Sequence, residues 1–437
     1  MRRAGQQAGR HRSQRARPAP APAGPAREAA IGGVGAQGDG LVPGGGFVPF
    51  TLPGERVSAA FAGERGELLN VLQPSADRVE PPCPHFFACG GCALQHWAHG
   101  PYLAWKAEQV RLALARERLE PEFLPPYAAP PWSRRRFALH ARRGSRPDEA
   151  RLGYKARRSW DLVEIDTCPI SDRRLVEALP ALRRLAASFL EHPKSAPTLH
   201  VTLTETGLDV DVTGVERKSG GLSGDARLRA AEAAAAGDFA RVTMSGEVVY
   251  GGRAPVVRLG GAAVALPPGA FLQAVPGAEN AMAADVLAAV AGARRVLDLY
   301  CGVGTFSFRL AEVANVHAVD SAPEAVAALK AAVGTAPGLR PVTTEVRDLD
   351  RRPVLTSELN RFDAAVFDPP RAGALAQAGE LARAENLGTV VGVSCNPATF
   401  ARDARMLVDG GFTLTRVRPV DQFLWSPHIE LVGVFQR

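Results

Sequence analysis

No apolar run approaching membrane-spanning length occurs in the sequence, although 46% of its 437 residues are hydrophobic. The expectation is a soluble, cytoplasmic chain rather than a membrane protein. No long apolar segment of the secretory type opens it. Cysteine is scarce and uneven: three of six fall between Cys83 and Cys92, while Cys168, Cys301 and Cys395 stand apart. That distribution does not suit a disulfide framework, and in a reducing compartment a tight thiol cluster points to metal. Acidic residues are outnumbered, 45 Asp and Glu against 52 Lys and Arg, giving a net charge of +7 and a pI near 9.3. A polyanionic partner, nucleic acid above all, suits such a balance. The length allows two or three domains and at least one substantial core.

Residues 1–30 are rich in Arg, Ala, Pro, Gln and Gly without amphipathic period, which predicts a disordered basic tail, either inert or in contact with phosphates. Residues 31–76 change to short β-type runs divided by glycine, as in a small barrel. Gly35 to Gly40, together with Leu52-Pro53-Gly54-Glu55, resembles the TRAM domain carried by RNA-modifying enzymes.

A central domain is predicted over 77–268. It opens on Pro82-Cys83-Pro84-His85-Phe86-Phe87-Ala88-Cys89-Gly90-Gly91-Cys92. Three thiols at this spacing can converge on one centre, and a tetrahedral zinc or an iron–sulfur cluster needs a fourth ligand. His85 and His96 are near in sequence, but Cys168, in the proline-flanked turn Asp166 to Ile170, is the better candidate. Spacing alone does not choose the metal. An amphipathic helix follows over Pro101 to Glu120, patterned by Tyr102, Trp105, Val110, Leu112 and Leu114. Arg134 to Arg143 alternates cations with apolar residues, and Gly153-Tyr154-Lys155 and Arg157-Arg158-Ser159-Trp160 add charge and rings. Such interleaving suits phosphate contact with base stacking, or else a plain solvated strand face. Leu199 to Val212 alternates as one further strand, and 218–238 reads as loop plus helix.

Residues 269–437 carry the chemistry. The β-branched run Thr389 to Val393 predicts a buried parallel strand, ending at Cys395-Asn396-Pro397, where Asn-Pro forces a turn. A thiol there points into the crevice where open α/β sheets bind ligands, and the helix that follows helps to hold a thiolate. The alternative is a buried structural cysteine. Arg295 to Phe306 is a strand running into the glycine turn around Gly302 and Gly304, then a helix. It has too few glycines for the dinucleotide fingerprint. Asp320, Asp348 and Asp368 each end a later strand-like segment, the last in Asp368-Pro369-Pro370-Arg371. One adenosyl-ligand crevice explains these strand ends together. Cys301 is expected to pack, and Glu324 and the Arg402–Asp403 pair to be helix-face charges.

With Cys395 and the terminal Pro427-His428-Ile429-Glu430 added, the chain resembles the TrmA/RumA/RlmD family of S-adenosylmethionine-dependent RNA 5-methyluridine methyltransferases. The most specific parts are Asp298 to Gly304, Phe367 to Arg371, Ser394 to Pro397 and His428 to Glu430, in that order. The resemblance implies a class I, Rossmann-like, seven-stranded α/β methyltransferase domain behind the small β-barrel and a β-rich central domain. It implies catalysis by Cys395 as nucleophile and Glu430 as base, with Asp368 binding substrate and cofactor. Gln273, Tyr300, Gly302, Gly304, Thr305, Asp320 and Asp348 are implied cofactor contacts. Thr305 stands where a relative has asparagine, and Asp320 where glutamate is usual. The cysteine cluster resembles the ligands of the ribosomal-RNA branch, implying a [4Fe–4S] cluster on Cys83, Cys89, Cys92 and Cys168. A monomer acting on ribosomal RNA is the expectation. Transfer RNA, an exocyclic-amine methyltransferase (Asp-Pro-Pro also occurs in adenine N6 enzymes) and a non-catalytic RNA-binding factor are the alternatives.

Overall fold

The computed structural model describes residues 24–146, 149–216 and 221–437. Two compact units divide the chain at residues 76 and 77.

In the first unit six strands form one sheet, in the order Ala26–Ala30, Arg56–Ala62, Arg65–Gln73, Phe47–Val48, Gly40–Leu41 and Gly33–Val34. Ile31, Val48, Val57, Ala59 and Phe61 fill its core. The Ala26–Ala30 strand corrects the expected tail boundary, since it pairs antiparallel with Arg56–Ala62. The remainder of the predicted tail, 1–23, lies outside the described residues. The Leu-Pro-Gly-Glu motif is a turn: Gly54 takes a left-handed φ of 82°, and buried Glu55 accepts from Leu52 N at 2.8 Å.

The second unit, from Asp77 on, holds two main sheets. One is antiparallel over most of its width, ordered Leu162–Glu164, Ala150–Lys155, Arg136–Arg143, Thr198–Thr204, Gly207–Thr213, Arg241–Met244 and Glu247–Gly251. Leu139, Leu152, Val201 and Val210 meet Leu182 and Leu185 of the helix Leu179–Ser188 and Ala230 of the helix Gly224–Ala236. The stretch read as a single strand, Leu199 to Val212, is a hairpin turning at Gly207, whose φ of 126° suits glycine. Of the segment read as loop plus helix, 217–220 lies outside the described residues.

The other sheet is open and mostly parallel. We number its main strands β1 (Arg295–Leu299), β2 (Asn315–Asp320), β3 (Val342–Val346), β4 (Ala364–Phe367), β5 (Thr389–Ser394), β6 (Thr413–Asp421) and β7 (Glu430–Gln436). Their order is β3-β2-β1-β4-β5-β7-β6. The first five run parallel, and β7 is antiparallel to both β5 and β6. Alanine, valine and phenylalanine bury β4 completely, as a strand covered on both faces requires.

The expected boundary at residue 268 is not where the cores divide. Val257 and Val264 of the hairpin Val256–Ala265 pack with Val296 and Met282 of the methyltransferase core. The helix His99–Arg116 adds Val110, Ala113 and Leu114 to the core containing Leu297, Phe400 and Leu431. Its buried face differs from the expected one, since Leu112 is exposed and Lys106 fully buried. Asp421 is the reason: at the end of β6 it forms an ion pair with Lys106 and accepts from Tyr102 Oη at 2.5 Å. Burial still pulls the Lys106 ammonium down to about 8.

Candidate active site

Strand order reverses between β1 and β4, and there the carboxyl ends open a crevice. Tyr300 and Gly302 follow β1, Asp320 ends β2, and Asp348 follows β3. Asp368 follows β4 and Cys395 follows β5. Because β7 runs the other way, its first residue, Glu430, stands at this same end. With Gln273, these eight residues line one cavity of 730 Å³, walled on the far side by Arg134, Arg136 and His200. Gly304 and Thr305 are not among its lining residues. Gly304 backs onto Phe308, whose ring would lie 2.5 Å from an added Cβ. Thr305 is buried, its carbonyl accepting from Arg309 Nη1 at 2.6 Å. Cys301 is buried in the core, as expected.

Backbone geometry fixes the loop after β1. Tyr300 adopts a left-handed φ of 60°, and Asp320 accepts from Gly302 N at 2.9 Å and Ala322 N at 2.8 Å. The β2 carboxylate thereby ties the β1 turn to the start of the next helix. Behind it Asp298, fully buried, accepts from Ser307 Oγ, and burial raises its carboxyl to about 7.

A chain of side chains links Asp368 to Glu430. Gln273 Nε2 donates to Asp368 Oδ2 at 2.9 Å, and Gln422 Nε2 donates to Gln273 Oε1 and to Glu430 Oε2, each at 2.7 Å. Ala274 N donates to Gln422 Oε1 at 3.0 Å, which fixes the amide. Burial raises Asp368 to about 7, and burial with the Asp368 charge raises Glu430 to about 8. At neutral pH this network therefore holds a proton. Burial lifts the Cys395 thiol to about 11, with Glu430 and Asp368 adding to the rise and Arg371 opposing it. The downstream helix does not by itself yield a thiolate here.

That helix, Pro397–Asp409, is fastened to both the cysteine loop and the Asp-Pro-Pro-Arg loop. Asn396 accepts from Ala398 N at 3.2 Å as the helix cap and donates through Nδ2 to Arg371 O at 3.0 Å. Arg402 donates to Ala372 O at 3.1 Å, and buried Asp403 accepts from Ala374 N at 2.7 Å. The Arg402–Asp403 pair is therefore a clamp on the 368–374 loop, not a helix-face charge pair. Phe400 seats the helix on the sheet. It lies over Gly392 of β5 and Gly433 of β7, which are paired, and an added Cβ at Gly433 would lie 2.3 Å from its ring. No side chain other than hydrogen fits there.

A second cavity, of 360 Å³, is lined by Cys83, Cys89, Cys92 and Cys168. Burial raises Cys89 to about 11 and Cys92 to about 12; Cys168 and Cys83 add to both rises, and Cys89 to that of Cys92. His85 ties the two cysteine segments together by bonding Asp166 Oδ1 at 2.8 Å. Of the three candidates for a fourth ligand, Cys168 and His85 line the cavity and His96 does not. Among the described residues no group of three or more His, Cys, Asp or Glu that could hold a metal ion occurs.

The cysteine loop also reaches the active-site loop between β6 and β7. Ala93 N and Leu94 N donate to Trp425 O at 2.8 and 3.1 Å. Trp425 N in turn donates to Tyr102 Oη at 2.7 Å, and Lys106 donates to Phe423 O at 2.9 Å.

Comparison with known proteins decides the family. Residues 268–437 match the family model described as tRNA (Uracil-5-)-methyltransferase. A Caulobacter vibrioides protein named as an uncharacterized RNA methyltransferase is 65% identical, covering 93% of this chain and 99% of its own. The 23S rRNA (uracil(1939)-C(5))-methyltransferase RlmD of Vibrio vulnificus is 30% identical, covering 90% of this chain and 91% of its own. The chain belongs to the RNA uracil-5-methyltransferase family. The Pyrococcus abyssi tRNA (uracil-54, C5)-methyltransferase, solved with S-adenosyl-L-homocysteine, shares the fold at a TM-score of 0.72 and 26% identity. It covers 93% of this chain and 99% of that one.

The methyltransferase has site residues that pattern alone does not reveal. Gln422 bridges two family-motif residues yet belongs to no motif of its own. Arg134, Arg136 and His200 come from the central sheet to wall the cavity. Arg371 had a signal, as the last residue of Asp-Pro-Pro-Arg, and it opposes the rise of the Cys395 thiol.

Proposed function

We propose that the methyltransferase transfers a methyl group from S-adenosylmethionine to carbon 5 of a uridine in 23S ribosomal RNA, through a covalent adduct between Cys395 and carbon 6. The observation that carries this is the convergence of a thiol and two elevated carboxyls, Cys395, Asp368 and Glu430, on one cavity. The ribosomal target draws support from the RlmD relative and from the four-thiol cavity. In this reading the enzyme works in the cytoplasm, beside its RNA.

Carbon 5 of uracil is a weak nucleophile. Addition of the Cys395 thiolate to carbon 6 forms an S–C bond and places the electron pair on the enolate, so that carbon 5 takes the methyl and the sulfonium leaves as a thioether. Glu430 then removes the proton from carbon 5, and the returning electron pair expels the thiolate. A carboxylate raised to about 8 has the proton affinity for that step. The donor's sulfonium charge in the cavity favours ionised Asp368, Glu430 and Cys395, so donor binding primes the site. Gln273 and Gln422 hold the two carboxyls apart and oriented. Asp320, Asp348, Tyr300 and Gly302 frame the adenosyl end, where Val303, Ala322, Ala325 and Leu349 give apolar walls. The base leaves its stack to enter, because thiol and sulfonium both need access to its ring.

The four thiols suit a [4Fe–4S] cluster held by Cys83, Cys89, Cys92 and Cys168. They share one cavity, and Cys168, Cys89 and Cys83 act by charge on Cys92. When bound, it would give this region a rigid centre in place of one buried and three half-buried thiols. Iron and sulfide in equal amounts, lost in Cys168→Ser, are expected of anaerobically prepared protein; zinc alone overturns this assignment.

Mapping 5-methyluridine in RNA from cells lacking the protein tests the target. Loss of one 23S site supports the reading. Loss confined to transfer RNA, or no loss in any RNA, overturns it.

A further inference from the structure

Of the five tryptophans, four are buried or half-buried, and Trp160 alone is exposed, at 78%. It sits on the turn that follows the strand Ala150–Lys155, and the Lys155 ammonium lies 3.7 Å from its ring centroid. With one face under a cation and most of the ring in solvent, the other face is open.

The turn is fixed rather than loose. Ala156 N donates to Asp161 O at 2.8 Å, Ser159 N to Ala156 O at 3.1 Å, and Ser159 Oγ to Asp161 Oδ2 at 2.8 Å. Gly90 N donates to Lys155 O at 2.9 Å, and Cys89 bridges Ala156, so the cysteine loop braces the turn from behind. An apolar ring held in water by this much structure has a use.

Strand register says where it faces. Gly153 pairs with His140 of the neighbouring strand, and beyond that pair the cysteine loop takes over this edge of Lys155 and Ala156. Ala138 lines both the 730 Å³ and the 360 Å³ cavities. Arg136, Ala138, His140 and Arg142 share one face of the strand Arg136–Arg143, opposite the buried Phe137, Leu139 and Ala141. Thr202 and His200 continue that face on the next strand, and His200 and Arg136 reach the active-site cavity. Burial first, and then nearby Lys155, Arg142 and His200, lower the pKa of the His140 imidazole, so basic side chains border it on both neighbouring strands. Between Arg134 and Trp160 there are ten Lys or Arg and two acidic residues.

We propose that Trp160, backed by Lys155, stacks an unpaired RNA base flanking the target nucleotide, and that the Arg136–His140–Lys155 face carries the phosphates between them. This rests on the reading of RNA as substrate. A ring with a cation behind it and an open face accepts any base, and the surrounding positive charge favours a nucleic-acid strand over an apolar protein segment.

The test uses full-length, anaerobically prepared protein and a fluorescein-labelled single-stranded oligouridylate of about twelve nucleotides. Trp160→Ala should raise Kd about tenfold while leaving the slope of log Kd against log salt unchanged, since no phosphate contact is lost. Trp160→Phe should bind close to wild type, and Lys155→Ala should lower the salt slope by about one. The melting temperature and S-adenosylmethionine affinity of Trp160→Ala should match wild type. Unchanged Kd in Trp160→Ala, or Trp160→Phe as weak as Trp160→Ala, overturns the stacking site. Methyl transfer to ribosomal RNA by the same preparations separates the two failures. If wild type transfers methyl and Trp160→Ala binds normally, the platform alone is wrong; if wild type neither binds the oligonucleotide nor methylates RNA, the substrate reading falls as well.

Discussion

Cys395 and Glu430 line one cavity, near enough for the carboxyl's charge to add to the rise of the thiol. Ser394, just before Cys395, pairs with Leu431, just after Glu430, in the antiparallel ladder of β5 and β7. Directly opposed residues project from the same face of a sheet. The ladder thus brings to one end of the sheet the two residues on which the proposed chemistry depends, although they lie 35 residues apart in sequence.

Gln422 maintains the relation between the two carboxyls. Gln422→Leu removes a donor shared by Gln273 and Glu430 and leaves Ala274 N without its acceptor. Loss of about 1–3 kcal/mol in unfolding free energy is expected, because buried polar partners are left unsatisfied. The rate of methyl transfer should fall at least about tenfold if misorientation costs the transition state roughly 1.4 kcal/mol. Chemical denaturation and single-turnover methylation measure the two effects.

Raised carboxyls make stability depend on pH with a definite sign. Asp368 and Glu430 ionise near their ordinary acidic range in the unfolded chain but at about 7 and about 8 when folded. Between those limits the native state binds more protons, so the unliganded protein should lose stability as pH rises from about 5 to about 8. Glu430→Gln removes one such group. Its melting temperature should equal wild type near pH 5 and exceed it near pH 8. The same variant should be unable to release methylated RNA, because nothing remains to take the carbon 5 proton. Melting curves across that pH range check the first expectation, and persistence of the protein–RNA adduct checks the second.

The Gly392–Gly433 pair is a packing requirement for the cysteine loop. Gly433→Ala drives a methyl group into the Phe400 ring, and overpacking of this kind costs about 1–3 kcal/mol. Methyl transfer should fall with it, since Phe400 seats the helix that follows Cys395. Adding Phe400→Leu should restore part of both losses, measured by thermal melting and initial rate. A Gly433→Ala protein as stable as wild type would contradict the packing account.

How much of this was legible in the sequence follows from what each residue answers to. The parallel strands announce themselves by unbroken apolar runs, and acidic or glycine-rich residues at their ends fall in the crevice that the topology creates. Asp320, Asp348, Asp368 and Cys395 were readable for that reason. What the sequence does not show at Gly304 is its packing, since Phe308 lies against the face where a Cβ would stand. Gln422, Lys106 and Asp403 were unreadable because their partners are distant in sequence. Lys106 breaks an apolar helix face only because Asp421 waits 315 residues on. Packing crosses residue 268 for a related reason: the hairpin at 256–265 and the helix at 99–116 belong by packing to a core whose strands begin later.

The most direct test of the central claim is to trap the adduct. RNA carrying 5-fluorouridine lacks the carbon 5 proton that Glu430 would remove, so incubation with S-adenosylmethionine should give a protein–RNA species that survives denaturing electrophoresis. Wild type should form it, and Cys395→Ala should form none while retaining its fold and donor affinity. Methyl transfer to uridine by Cys395→Ala, or wild-type methylation with no trapped species, would contradict the account.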